Sequence, residues 1–212
     1  MNLLLIDDAA LEPVTLQEAK NSLKVDSDMT DDDALITMLI GTARRYAEGY
    51  TGRALVTQTW QATLDNFPGY AIPNAALSVS SAIRNAGSEI YLRKNPVKSV
   101  GSVSYLDVDG IWQTMPSTDY VFDPSGIVQR LSPAYGKAWP ATRQQIANVR
   151  ITFTAGYGPS ASDVPENFRH WMLLRINTLY ANREEVAIMT RGKVDPLPFV
   201  DSLLDYLKVP VI

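Results

Sequence analysis

Residues 31–55, DDDALITMLIGTARRYAEGYTGRAL, carry more apolar surface at helical spacing than one neighbour can cover. Leu35, Met38, Leu39, Ala43, Tyr46, Ala47 and Tyr50 recur along one helical face, and a second row, Ile36 and Ile40, widens the stripe. Thr30 and Asp31 are N-cap residue types, and Asp32 and Asp33 put negative charge on the first turn, where the helix dipole favours it. Arg44 and Arg45 lie toward the other end, where cations are favoured. Gly49 and Gly52 offer the left-handed conformation that a helix exit uses. A helix of about 20 residues is about 30 Å long, so it crosses a small domain and needs partners on more than one side.

The chain has 212 residues, which sets one domain, or one domain with a sizeable insertion. A chain of that length buries roughly 70% of its unfolded surface, so no covalent staple is required. It has no Cys, hence no disulfide framework, no thiolate chemistry and no thiolate metal site. No apolar run approaches the ~20 residues of a membrane span. The opening MNLLLIDD has no basic segment and turns acidic at once, unlike a signal peptide. With 19 basic and 23 acidic residues the net charge is −4, a poor balance for gripping nucleic acid by its phosphates.

The periodicity changes twice along the chain. Thr15-Leu16-Gln17-Glu18 is a capping box, and Leu16, Ala19 and Leu23 mark a short helix ending near Val25. A polar connector over 26–30 leads into the long helix. After Gly52, Val56, Gln58, Trp60, Ala62 and Leu64 alternate with three threonines and a glutamine, the period of a strand. Phe67-Pro68-Gly69 breaks it, and 70–88 reads as a loop. Short strands follow over 89–92, 97–107 and 111–115, the last two joined by the Asp109-Gly110 turn. A further pair, 120–122 and 127–131, flanks Asp123-Pro124-Ser125-Gly126, and 149–154 is the last strand. Helix returns after Ser162-Asp163-Val164-Pro165-Glu166, with Phe168, Trp171, Met172, Ile176, Leu179 and Tyr180 apolar over a wide arc. Residues 183–193 are polar, 196–208 form a last short helix, and Val209-Pro210-Val211-Ile212 is an apolar tail. The layout predicts an α+β fold. Helical segments at 1–55 and 156–212 build one core, and an antiparallel β-rich insertion spans 56–155.

Catalytic constellations are missing from this pattern. His170 is the single histidine and has neither a nucleophile nor an orienting acid placed by any motif, so it reads as a partly buried helical residue. Asp31, Asp32 and Asp33 point in different directions at a helix start, and dipole complementarity accounts for them better than a cation does. Asp107, Asp109 and Gly110 begin like a calcium loop but lack its closing Glu and lie between strands. Gly156-Tyr157-Gly158-Pro159 lacks the Lys-Ser/Thr of a phosphate loop. No cofactor, metal or enzyme activity is expected. The wide apolar arc of the third helix and the apolar tail instead point to an assembly component.

An ordered set of motifs resembles the head-tail connector proteins of long-tailed bacteriophages, the adaptor or head-completion family also found in gene transfer agents. The carrying residues are 13–20 (PVTLQEAK), 31–36 (DDDALI), 50–55 (TGRAL after Tyr50) with Gln58-Thr59-Trp60, then 105–110 (YLDVDG), 154–158 (TAGYG), Val164-Pro165 and Asn182-Arg183-Glu184. The resemblance implies a homo-oligomeric ring of about a dozen copies in the virion neck, assembled in the host cytoplasm, where each subunit offers two different complementary faces. It implies two partners, the portal of the filled capsid and a downstream stopper or tail-completion protein. DNA would pass through without sequence-specific binding, and no membrane is involved. The second apolar row of the long helix faces either the Phe168 helix or a neighbouring subunit, and Ile36, Ile40, Arg44, Trp171 and Tyr180 are the expected subunit contacts. The portal-reaching segment is Phe199, Leu203, Tyr206, Val209, Pro210, Val211 and Ile212. A different class, a stand-alone glycan- or envelope-binding module, would need Trp112, Tyr120 and Trp139 gathered into a concave patch on the β insertion.

Overall fold

The computed structural model describes residues 1–69, 88–182 and 199–210, and of Phe199 and Val200 only the backbone. Nearly all of the loop expected over 70–88, the polar stretch 183–193, Arg183-Glu184, the start of the last helix at Pro196, and Val211 and Ile212 lie outside the described residues. In chain order the elements are β1 (Asn2–Asp7), α1 (Leu16–Leu23), α2 (Asp33–Thr51), β2 (Gln58–Leu64), β3 (Ile90–Tyr91), β4 (Val97–Leu106), β5 (Trp112–Thr114), β6 (Tyr120–Asp123), β7 (Arg130–Pro133), β8 (Val149–Ala155), α3 (Glu166–Ala181) and α4 (Phe199–Asp205). The fold is α+β, and the chain divides into two compact units. One takes Met1–Asp8, Gln58–Gly156 and Pro210–Ile212; the other takes Ala9–Thr57 and Tyr157–Val209.

In the helical unit the capping box at Thr15 forms as the sequence predicts. The Glu18 amide donates to the Thr15 hydroxyl (3.2 Å), and the Thr15 amide donates to the Glu18 carboxylate (2.8 Å). The acids before α2 work differently from a cap. Asp32 makes no side-chain cap bond, and Asp33 lies 2.5 Å from the ammonium of buried Lys20. That ammonium also donates to the Met29 carbonyl (2.7 Å), so one cation ties α1 to the connector and to the start of α2. The helix ends at Gly52, whose φ of 72° places it in the left-handed region and whose amide donates to the Glu48 carbonyl. Ile36, Leu39, Ile40, Ala43 and Ala47 are buried along α2, while Met38 and Tyr46 of the first apolar row are exposed. The wide arc of α3 is covered because α1, α2 and α4 all pack on it, burying Phe168, Trp171, Met172 and Ile176. Each such side chain contributes roughly 1.5–3 kcal/mol over the exposed state.

The β unit holds a five-stranded sheet in the order β1-β2-β8-β4-β5 and a three-stranded sheet in the order β3-β7-β6. All named pairings in both are antiparallel. β8 is central, and its alternation buries Val149, Ile151, Phe153 and Ala155 on one face. The turn between β4 and β5 follows the Asp109-Gly110 signal. Gly110 has φ 86°, and the Asp107 carboxylate accepts the amides of Asp109 (3.1 Å) and Ile111 (2.8 Å).

Two expectations need correction. Residues 2–7 were assigned with the helical segment 1–55, yet they form an edge strand paired to β2, with Leu3 opposite Ala62 and Leu5 opposite Trp60. The strand expected at 127–131 lies at 130–133 instead, leaving Ile127 exposed. The preceding residues are held in a turn, because the Asp123 carboxylate accepts both the Ser125 amide (3.0 Å) and the Ser125 hydroxyl (2.5 Å).

Candidate interaction surfaces

Four of the five residues expected at a subunit contact are buried inside the helical unit. Ile36, Ile40 and Trp171 belong to its core, and Arg44 is buried beside them. The Arg44 guanidinium donates to Glu48 (3.2 Å) and Glu12 (2.9 Å), and the other Glu48 oxygen accepts the Leu55 amide (2.9 Å). This buried network fixes the exit from α2 rather than facing a neighbour. Tyr180 is half-buried, and its hydroxyl donates to Asp32. The second apolar row of α2 therefore meets α3 within the same subunit.

The C-terminal segment is bolted to the same exit. Leu204 is fully buried, with Leu203 and Leu207 packed against the core. Tyr50 donates to Asp205 (2.8 Å), Arg53 donates to the Leu207 carbonyl (2.5 Å), and the Val209 amide donates to the Thr51 carbonyl (2.8 Å). Lys208 lies over the Tyr50 ring and 3.0 Å from Asp205. That contact, followed by the Tyr50 hydroxyl, lowers the Asp205 pKa. Tyr206 is exposed, with its hydroxyl against Asn167. Of the segment expected to reach the portal, Leu203, Tyr206 and Val209 make contacts within their own subunit.

Each of the three aromatics named for a glycan-binding patch meets a different neighbour. Trp139 stacks on Phe67 (4.7 Å) and donates to the Ser88 carbonyl; Trp112 lies under the Arg150 guanidinium (4.1 Å); Tyr120 is half-buried, and burial raises its hydroxyl pKa. A groove of about 560 Å³ beside β7 is lined by Glu89, Ser132, Tyr135 and Lys137 among others, and by none of the three. His170 is exposed on α3, not partly buried. Among the described residues no group of His, Asp and Glu is placed to hold a metal ion, and no helix is long and apolar enough to cross a membrane.

Among the exposed apolar residues, two groups lie at the two outer edges of the five-stranded sheet. On β1, Leu4 (58% exposed), Leu5 and Ile6 (46%) reach solvent, followed by exposed Asp7. At the other edge, Val108 (62%), Ile111 (59%) and Trp112 (42%) surround the turn into β5. Two guanidinium groups stand there: Arg150 over Trp112, and Arg143 beside Gly110. A four-residue apolar run followed by two acids was the available signal for the first edge; nothing in the second distinguished an exposed hairpin from a covered one.

Residues 13–94 match the family model of the phage gp6-like head-tail connector protein. No curated relative matches the chain. Among solved structures, the fold resembles a chain from the neck of an empty gene transfer agent particle computed with C6 symmetry. The TM-score is 0.76 at 19% identity, covering 100% of this chain and 97% of that one. It also resembles chains from the virion of a native gene transfer agent particle (TM-score 0.73, 19% identity) and from the neck of a native particle computed with C12 symmetry (0.73, 18%). Both matches cover 100% of this chain and 97% of the other. The family model thus covers the N-terminal part of the chain, and the likeness of fold to the neck chains runs over its whole length.

Proposed function

We propose that this chain is a structural adaptor of a tailed-phage-like particle neck. It forms a ring that joins the portal of the filled capsid to the tail and continues the DNA channel. The observation that carries the reading is the end-to-end match of fold to neck chains, at a TM-score of 0.76 with nearly all of both chains aligned. Those neighbours come from particles computed with C6 and C12 symmetry, and a cyclic ring needs two different complementary faces per subunit. The opposed edges of the five-stranded sheet supply two such faces. The portal and a downstream stopper or tail-completion protein are the partners, and the tail from Pro210 to Ile212 is the portal-reaching segment, shorter than the sequence suggested. A net charge of −4 suits a conduit that lets DNA slide without holding its phosphates.

Removing the chain from the producing cell tests the reading. Filled heads without tails are expected, with a ring at the neck restored by supplying the chain in trans. Complete head-tail particles formed in its absence overturn the proposal, as does a neck image with no density for it.

A further inference from the structure

Among the described residues, the two outer edges of the five-stranded sheet pair with no further strand; they differ in chemistry and run in the same direction. Every neighbouring pair in β1-β2-β8-β4-β5 is antiparallel, so with five strands the outer pair, β1 and β5, are parallel to each other. An open strand edge is a template for another strand, and both of these edges carry exposed apolar side chains. β1 presents Leu4, Leu5 and Ile6 and ends in Asp7; the opposite edge presents Val108, Ile111 and Trp112 with Arg143 and Arg150.

We infer that β1 of one subunit adds in parallel to the β5 edge of the next copy of this chain, forming the subunit contact of the ring. The inference rests on the ring reading above. A cyclic ring relates neighbours by a rotation that keeps strand directions nearly aligned, so an edge-to-edge join within it must be parallel. β1 against β5 meets that condition in a sheet of this order, whereas antiparallel β1-β1 pairing needs a twofold axis. The join also covers both apolar edges, which β1-β1 pairing would not. Charge favours the same partner. Asp7 closes β1, and the Arg150 guanidinium reaches across the sheet to the β5 edge. The acids near that edge do not cancel it evenly: Asp107 is spent on the Asp109 and Ile111 amides and the Gln113 side chain, which leaves Asp109 at the turn.

The chain has no Cys, so thiols can be placed at will. Leu4→Cys and Ile111→Cys are both at exposed positions, and a flexible bismaleimide tolerates uncertainty in register. In particles carrying the double variant, cross-linking should give a ladder of covalent oligomers, while each single variant gives monomer. Asp7→Lys or Arg150→Glu alone should reduce the ladder several-fold, and the two together should restore it. A dimer from Leu4→Cys alone overturns the inference in favour of twofold pairing. A ring visible by electron microscopy with no ladder overturns the interface and leaves the ring reading standing. Necks without any ring overturn the ring reading, and this contact with it.

Discussion

Arg44 shows how a single side chain holds the switch from helix to strand. Its guanidinium bridges Glu48, itself buried, and Glu12, while Glu48 accepts the amide of Leu55 just past the helix exit. Arg44→Ala leaves Glu48 buried and uncompensated, so a loss of about 3–5 kcal/mol is expected in denaturant unfolding. Adding Glu48→Gln removes the stranded charge and keeps an acceptor for Leu55, and should recover a good part of that loss. An equal or larger loss in the double variant would show that the charge is not what costs. At the three-stranded sheet, the Arg130 guanidinium joins Asp123 (3.0 Å) and Glu89 (2.9 Å). The Ser125 hydroxyl and amide, then Arg130, lower the Asp123 pKa from 3.8 to about 2. A carboxyl depressed in the folded state stabilises above its ordinary value and loses that contribution as pH falls through the folded one. Asp123→Asn should therefore lose stability at neutral pH, and its difference from the parent should shrink as pH falls from 3.8 to about 2. The carboxyl is only half-buried, so screening by water keeps the effect small.

Elements were legible where their signals are local. The Thr15 capping box, the Gly52 exit and the Asp109-Gly110 turn each satisfy backbone groups within a few residues, and all three form. β1 was not legible because NLLLID has no alternation, and its state is decided by pairing with β2 some sixty residues on. The same limit bears on the expected subunit contacts. The apolar rows of α2 and α3 looked excessive only while the number of helices packed on α3 was unknown, and three cover it. Ile36→Lys distinguishes core from interface. Ile36 is fully buried, so the substitution should unfold the helical unit, with a loss of more than about 4 kcal/mol and no folded monomer in circular dichroism. Leu4→Lys, on the exposed edge strand, should leave the melting curve within about 0.5 kcal/mol of the parent. A folded, assembly-defective Ile36→Lys would return the α2 row to the surface.

At the scale of the whole chain, the C-terminus decides how much can leave the subunit to meet a partner. The segment is held as far as Val209. Its amide donates to Thr51, and its Cβ lies 3.5 Å from where a Cβ on Gly52 would stand, so the glycine both turns the helix exit and admits the returning tail. Residues up to that clamp serve the fold, and the proposed portal contact falls to the residues after it. Deleting Pro210 to Ile212 should change stability by no more than about 0.5 kcal/mol and abolish co-purification with the portal. Extending the deletion to Val209 breaks the bond to Thr51 and should cost a further 0.5–1.5 kcal/mol or so, lowering the melting temperature without any additional loss of binding. Two losses that appear together only at the longer deletion would place the binding determinant in the clamped segment, and portal still bound after the shorter one would remove the tail from the contact.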